Sequence, residues 1–214
     1  NMLGTRDNEG DGIFTFIDSG AEAKREFVDD LSAALNTIAA DVKIHVEFSD
    51  ACVARYRQLG YENRQLKKED FRNDAVDAGE VGSGQSVTAL YELELGAPAR
   101  PVPYLADRCR VNDIIATVRV RYRRIDTGRV EEIEHLVHQR DVLPRFEAAE
   151  PRFQLAAAVG EFAEILRGSP FAKGSSTEDV AKVLRPVGLE FPLDHHVQEL
   201  LRLVNGAESM SRGK

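Results

Sequence analysis

Residues 70–86, "DFRNDAVDAGEVGSGQS", combine carboxylates with glycines, the residue types found in calcium loops and phosphate cradles. An EF-hand loop needs oxygen ligands at positions 1, 3 and 5, glycine at position 6 and glutamate at position 12. With Gly79 at position 6, Asp74 falls at position 1, but Val76 and Ala78 fall at positions 3 and 5, and a glutamine falls at position 12. The spacing therefore excludes an EF-hand.

A phosphate cradle needs a helix directly after its glycine loop, so that the first N–H groups of the helix face the anion. The glycines here run instead into "SVTALYELEL", residues 86–95, in which apolar and mostly polar residues alternate. A two-residue period is typical of a half-buried strand. The segment is therefore interpreted as a glycine-bearing turn leading into a strand.

No other motif nominates a catalytic residue. The chain contains no GxSxG, HExxH or CxxC pattern, and His135 and His138 have the wrong parity to share one face of a strand. An irregular metal site formed by Asp74, Asp77 and Glu80 is the alternative that remains. The residues thus predict a non-enzymatic chain with no catalytic residue, no metal ligand and no bound cofactor.

The most basic stretch is "ATVRVRYRR", in which Arg119, Arg121 and Arg123 share one face of a strand. The next strand begins "VEEIEH", and a four-residue turn between the two would set Arg123 opposite Glu132 and Arg121 opposite Glu134. This register also brings apolar residues together on the other face. We therefore expect a solvated, cross-strand paired face; anion binding is the alternative.

Around these residues, the period of the apolar pattern divides the chain. Residues 13–18 form a short apolar run, and residues 19–42 have a helical stripe. From residue 42 the period becomes two, and the turn-separated strand-like runs cover about 42–48, 52–60, 86–95, 114–125 and 130–142. No helical segment lies between these runs, which favours an antiparallel β-sandwich.

Three helices are predicted after Pro144. Pro151 suits the first turn of one helix, Ser175 with Glu178 forms a capping box for the next, and Asp194 caps the last. The predicted fold class is therefore α+β: an antiparallel β-sandwich flanked by an N-terminal strand-helix piece and a C-terminal helical subdomain.

Composition limits the functions that the chain can have. With 214 residues, 43% hydrophobic and 30% charged, the chain is predicted to be globular. A net charge of -8 argues against general nucleic-acid binding, and no run of eighteen apolar residues suggests membrane insertion. Cys52 and Cys109 match no zinc motif, and we expect two unpaired thiols, although a bridge could form in an oxidising compartment.

Three segments together resemble the C-terminal half of bacterial YfbK-like proteins, which carry a von Willebrand factor type A domain. They are residues 10–48, beginning "GDGIFTFIDSG", residues 56–93, beginning "YRQLGYENRQL", and residues 153–171, "FQLAAAVGEFAEILRGSPF". The resemblance implies that residues 1–40 are the last strand and helix of a truncated von Willebrand domain. Residues 41–143 would then be the β-sandwich, and residues 144–214 a C-terminal helical segment.

The resemblance also implies a context for the function. The DxSxS loop of such domains, which holds a divalent cation, would lie in the missing upstream part, and no DxSxS occurs in this chain. Partner proteins at the bacterial cell envelope or periplasm are expected, as is a possible homo-oligomer through the exposed N-terminal strand. The function expected is a non-enzymatic interaction or scaffold region accessory to that domain. The alternatives are an enzyme with a carboxylate site near residues 70–86, or a carbohydrate- or envelope-binding β-sandwich.

Overall fold

The computed structural model describes residues 36–60, 65–96 and 113–212, and these residues have the predicted α+β fold class. The strands among them are β1 Thr37–Phe48, β2 Val53–Leu59, β3 Gly79–Gly82, β4 Leu90–Leu95, β5 Ile114–Arg124 and β6 Val130–His138. The α-helices among them are α1 Pro151–Leu166, α2 Thr177–Glu190 and α3 His195–Arg212.

The strands form two sheets, as a β-sandwich requires. One sheet has four strands in the order β3-β1-β5-β6, and the other has two strands, β2 and β4. The β1–β3 and β2–β4 pairs are antiparallel. Contacts divide the chain into two units; within the described ranges, the first contains residues 36–44, 69–86 and 120–133, and the second contains the others.

The helix predicted over residues 19–42 is wrong for residues 37–42, which form the start of β1. Thr37 pairs with Gly82 and Val42 with Gly79 on β3, and pairing with a neighbouring strand overrides a local helical pattern. The pairing is irregular, and Asp41, with φ of 52°, lies in this stretch. The predicted strand over residues 13–18, the rest of the helix and the oligomer contact lie outside the described residues. The three-part domain division stays a prediction.

The helices of the second unit share one apolar core. Phe162 of α1, Leu184 of α2 and Val204 of α3 are buried in it. The sequence predicts an apolar stripe on α1 from the helical spacing of four residues: Leu155, Val159, Phe162 and Leu166. This prediction is partly wrong, because Val159 and Leu166 are exposed, while Ala158 and Ile165 pack inward together with Leu155 and Phe162. The sequence does not identify one buried face, because α1 carries apolar residues on most of its circumference.

The ends of the helices largely follow their sequence signals. Pro151 starts α1, and the Asp194 side chain accepts hydrogen bonds from the N–H groups of His196 and Val197 in the first turn of α3. The cap predicted for α2 is wrong by one residue, because Ser176 accepts from the N–H of Asp179 in place of the predicted Ser175 with Glu178.

Helices α2 and α3 approach closely at a glycine. A Cβ atom added to Gly188 would lie 2.3 Å from Cδ1 of Leu201, closer than any real contact. Gln198 of α3 also donates to the carbonyl oxygen of Gly188 at 3.1 Å. A side chain at residue 188 would therefore force the Leu201 side chain to move at this point of close approach.

A second core lies where β2, β4 and parts of β1 and β5 meet within the second unit. It contains Cys52, Val53 and Ile115, with Phe48 and Leu93 packed against them. The expectation of an unpaired thiol is wrong for Cys52, which is fully buried and disulfide-bonded. Cysteines distant in sequence give no spacing signal, so only their placement in the fold decides whether they bond. Cys109 lies outside the described residues.

Candidate functional site

The stretch that contains the predicted carboxylate loop packs onto charged side chains in the first unit. Lys43 of β1 is buried, and its Nζ donates to the carbonyl oxygen of Asn73 at 2.6 Å. Arg121 of β5 donates to the Asp74 carboxylate at 2.5 Å. The enclosed space beside these groups is about 10 Å³, which is enough for a single water molecule and too small for a substrate.

The three residues of the alternative metal site are not gathered into a ligand set. The carboxylate of Asp74 is bound by arginine, while Asp77 and Glu80 are exposed, with Glu80 on β3. In the described ranges, no group of three or more His, Cys, Asp or Glu side chains could hold a metal ion. The loop therefore pairs a carboxylate with a basic strand instead of presenting carboxylates to a cation.

The arginine strand is paired, but in a different register from the predicted one. Arg124 N donates to Arg129 O at 2.9 Å, and Arg119 binds Glu134 at 2.8 Å. The turn thus begins one residue earlier than expected, which moves each cross-strand partner by two positions without changing the faces. The predicted pairing of Arg121 with Glu134 is wrong, since the 70–86 loop supplies its partner.

The other predicted pair, Arg123 with Glu132, is also replaced. Arg123 binds Asp41 of β1, and Glu132 accepts two hydrogen bonds from Arg72, at 2.7 and 3.1 Å. The charged face is consequently not paired within the hairpin alone, as was expected, because residues outside the hairpin bind three of its members: Arg121, Arg123 and Glu132. These additional partners lie outside the hairpin, so the hairpin sequence carries no signal for them.

A second charged cluster joins β2 and β4 to α1 within the second unit. Arg57 Nη1 donates to Glu164 at 2.6 Å, and Arg57 Nη2 donates to Glu92 at 2.5 Å. The hydroxyl of Ser169 donates to the same Glu164 carboxylate at 2.7 Å, and Arg167 also binds it. The side chain of Glu164 is only 4% exposed, so its charge depends on these partners.

The electrostatics of this cluster favour the charged forms. The pKa of Glu164 is lowered chiefly by the hydrogen bond from Ser169, and Arg57 and Arg167 lower it further. Burial of the carboxylate opposes these effects. Burial alone would lower the pKa of Arg57, but hydrogen bonds to Glu92 and Glu164 outweigh it and raise that pKa. Arg57 also lies 4.2 Å from the centre of the Phe171 ring. Every carboxylate in the cluster is bound, which is the arrangement of a structural network.

An open groove on the α2–α3 pair is the main feature that sequence reasoning missed. It has a volume of about 620 Å³ and is lined by Leu189 and Arg185 of α2 and by Leu201 and Arg202 of α3, among others. Leu189 is 80% exposed, although it lies on a helix whose other face is buried. The sequence offered only a single leucine as a signal, and an exposed leucine alone is not unusual.

Comparison with known proteins finds one family. The model of the family described as "Uncharacterized protein YfbK, C-terminal" matches residues 33–210. The uncharacterized protein YfbK of Escherichia coli (strain K12) is 30% identical over 204 residues, which cover 94% of this chain and 35% of that protein. The chain thus spans about a third of the length of this relative. No solved structure matches it.

Proposed function

We propose, starting from the fact that the chain belongs to the YfbK C-terminal family, that it is a non-enzymatic interaction region accessory to a metal-dependent von Willebrand factor type A domain. The observation that carries the proposal is the exposed apolar groove on α2 and α3. In the same unit, the described buried carboxylates are bound by arginine side chains of that unit. An exposed apolar groove supports partner binding, whereas an enzyme needs convergent reactive groups in a cleft.

The arrangement of residues 70–86 supports the non-enzymatic part of the proposal. Asp74 forms an ion pair with Arg121, and the space beside them has room for about one water molecule. A general acid or base must reach a bound substrate, and this space admits none. The carboxylate-enzyme alternative therefore has no specific support from these residues.

The proposal places the protein at the cell envelope, in an oxidising compartment. The disulfide bond of Cys52 supports this location, because disulfides persist in extracytoplasmic compartments and are rare in the reducing cytosol. None of the helices in the described ranges is long and apolar enough to cross a membrane. The divalent cation of the proposal belongs to upstream residues, so this chain contributes packing and partner contacts only.

The experiment compares two forms of the protein that both contain the complete von Willebrand domain, one with and one without the region equivalent to residues 36–212. An accessory region should raise the melting temperature or the Mg²⁺ affinity of that domain, because contacts made only in the folded state stabilise it. Equal melting temperatures and equal Mg²⁺ affinities in the two forms would contradict the accessory role.

A further inference from the structure

The α2–α3 groove has a composition that points to one kind of occupant. Its apolar lining consists of Pro186, Leu189 and Leu201, and its charged lining consists of Arg185 and Arg202. The other side chains that line it are amides, so within the described ranges no carboxylate faces the groove. The whole chain carries a net charge of -8, whereas Arg185 of the groove is neutralised by Glu208 and Arg202 adds a positive charge.

The two arginines differ in what already binds them. Arg185 forms an ion pair with Glu208 at 2.5 Å and lies 3.5 Å from the Asn205 side-chain oxygen. Arg202 is exposed and forms no ion pair with any residue in the described part of the chain. A guanidinium beside exposed leucine surface is well suited to a carboxylate that arrives together with apolar side chains.

The shape of the groove identifies the form of the occupant. Residues 198, 201, 202 and 205 lie at i, i+3, i+4 and i+7 on α3, and residues 185 and 189 lie one turn apart on α2. Two packed helices with apolar side chains between them form the kind of groove that receives a third amphipathic helix. An open groove of this kind differs from a small-molecule pocket, which buries most of its ligand.

We propose that the α2–α3 groove binds an amphipathic helix of a partner protein, with an apolar stripe packed on Leu189 and acidic residues paired with Arg202. The proposal rests on the interaction function proposed above and names the chemistry of its partner. Charge complementarity supplies orientation and speed of association, and burial of Leu189 against the apolar stripe adds to the affinity.

The probes are two designed helical peptides with the same leucine stripe, one flanked by glutamates and the other by lysines. Binding to the purified chain is followed by fluorescence anisotropy. We expect the glutamate peptide to bind and the lysine peptide to bind at least about tenfold more weakly, because like charges would then meet across the groove. Arg202→Glu should weaken the glutamate peptide by about tenfold and improve binding of the lysine peptide.

Matched variants separate the groove from general effects. Arg145→Glu makes the same charge change at an exposed residue outside the groove and should leave both affinities unchanged. Leu189→Ala should weaken binding about fivefold or more, whereas Leu193→Ala, at a residue that is 97% exposed and outside the lining, should not. Circular dichroism confirms that each variant is folded, since exposed substitutions change stability by only about 0.5 kcal/mol.

Several results would overturn the inference. They are no binding of the glutamate peptide, equal affinity for both peptides, or affinity that does not change with Arg202→Glu and Leu189→Ala. Binding to anionic phospholipid vesicles that is lost in Arg202→Glu would assign the groove to a membrane surface. A dimer that dissociates in Leu189→Ala would assign it to a second copy. If the groove fails these tests while the region still stabilises the von Willebrand domain, the inference fails and the proposed function stands.

Discussion

Removal of the negative charge from Glu164 should destabilise the protein. The loss should exceed that caused by the same change at Glu161, the other carboxylate of the second unit that we compare. The side chain is 4% exposed and binds Arg57 at 2.6 Å and Ser169 at 2.7 Å. Removing one partner of a buried ion pair costs about 3–5 kcal/mol, because the remaining charge is left without compensation. Arg57 keeps Glu92 and is 21% exposed, so we expect about 2 kcal/mol for Glu164→Gln.

The assay is urea unfolding followed by circular dichroism, with the free energy of unfolding extrapolated to water. Glu161→Gln is the matched control, because it makes the same change on the same helix and residue 161 forms no ion pair with another described residue. We expect that control to lie within about 0.5 kcal/mol of the wild type. If Glu164→Gln destabilises no more than Glu161→Gln, the network does not stabilise the fold.

The dependence on pH gives an independent check. The pKa of Glu164 in the folded protein is lowered from its ordinary value of 4.5, chiefly by the hydrogen bond from Ser169. A group with a lowered folded pKa contributes stability that is complete above the unfolded pKa and is lost as the pH falls through the folded pKa. The difference between wild type and Glu164→Gln should therefore be constant near neutral pH and shrink below about pH 4.5. A difference that grows on acidification would refute the reasoning.

Three further predictions concern packing, the disulfide and the charged loop. Gly188→Ala should cost about 1–3 kcal/mol, because its Cβ would overlap the facing leucine of α3. Gly206→Ala, with nothing within 4 Å of the added Cβ, should stabilise by about 0.5–1 kcal/mol. Urea unfolding measures both changes, and equal effects would contradict the close approach. Reducing the disulfide of Cys52 should lower the free energy of unfolding by about 2–4 kcal/mol, and mass spectrometry under non-reducing conditions identifies its partner; an unchanged urea midpoint would count against the bond. Asp74→Asn loses an ion pair whose carboxylate is largely exposed, so it should cost less than about 1 kcal/mol. Asp77→Asn should cost even less, because Asp77 is exposed. A larger loss of stability at residue 77 than at residue 74 would be inconsistent with the ion pair of Asp74 and the exposure of Asp77.

The alternation of apolar residues was sufficient to predict most strands. Strands β2, β5 and β6 follow their two-residue patterns, because a strand with one covered face needs that period. Strand β3 was not predicted, since its four residues, "GEVG", include two glycines and give almost no apolar pattern. Its edge position comes from pairing with β1, which is a tertiary contact.

Local ambiguity explains the one-residue errors. Ser175 and Ser176 are adjacent, and each has an acidic residue three positions later, so two capping boxes compete for α2. In the β5–β6 turn, Gly128 has φ of 67° and its N–H donates to Arg124 O, which fixes the start of the turn one residue earlier than expected. Residue types could not distinguish these alternatives, because both members of each pair satisfy the same local rule.

The clusters formed by residues distant in sequence could not be predicted from spacing. Arg57 and Glu164 are separated by 107 residues, and the sequence contains 36 acidic residues that could have paired with that arginine. The α2–α3 groove is likewise formed by side chains of two separate helices. Charge and apolar exposure become informative only once the fold defines which side chains share one surface.

The most direct test of the accessory role is calorimetric titration of Ca²⁺ and Mg²⁺ into this chain and into a form extended upstream to include the complete von Willebrand domain. We expect heat of binding in the extended form and none in this chain, whose described carboxylates form no group that could hold a metal ion. Binding by this chain alone, lost in Asp74→Asn or Asp77→Asn, would make residues 70–86 a metal site and contradict the account.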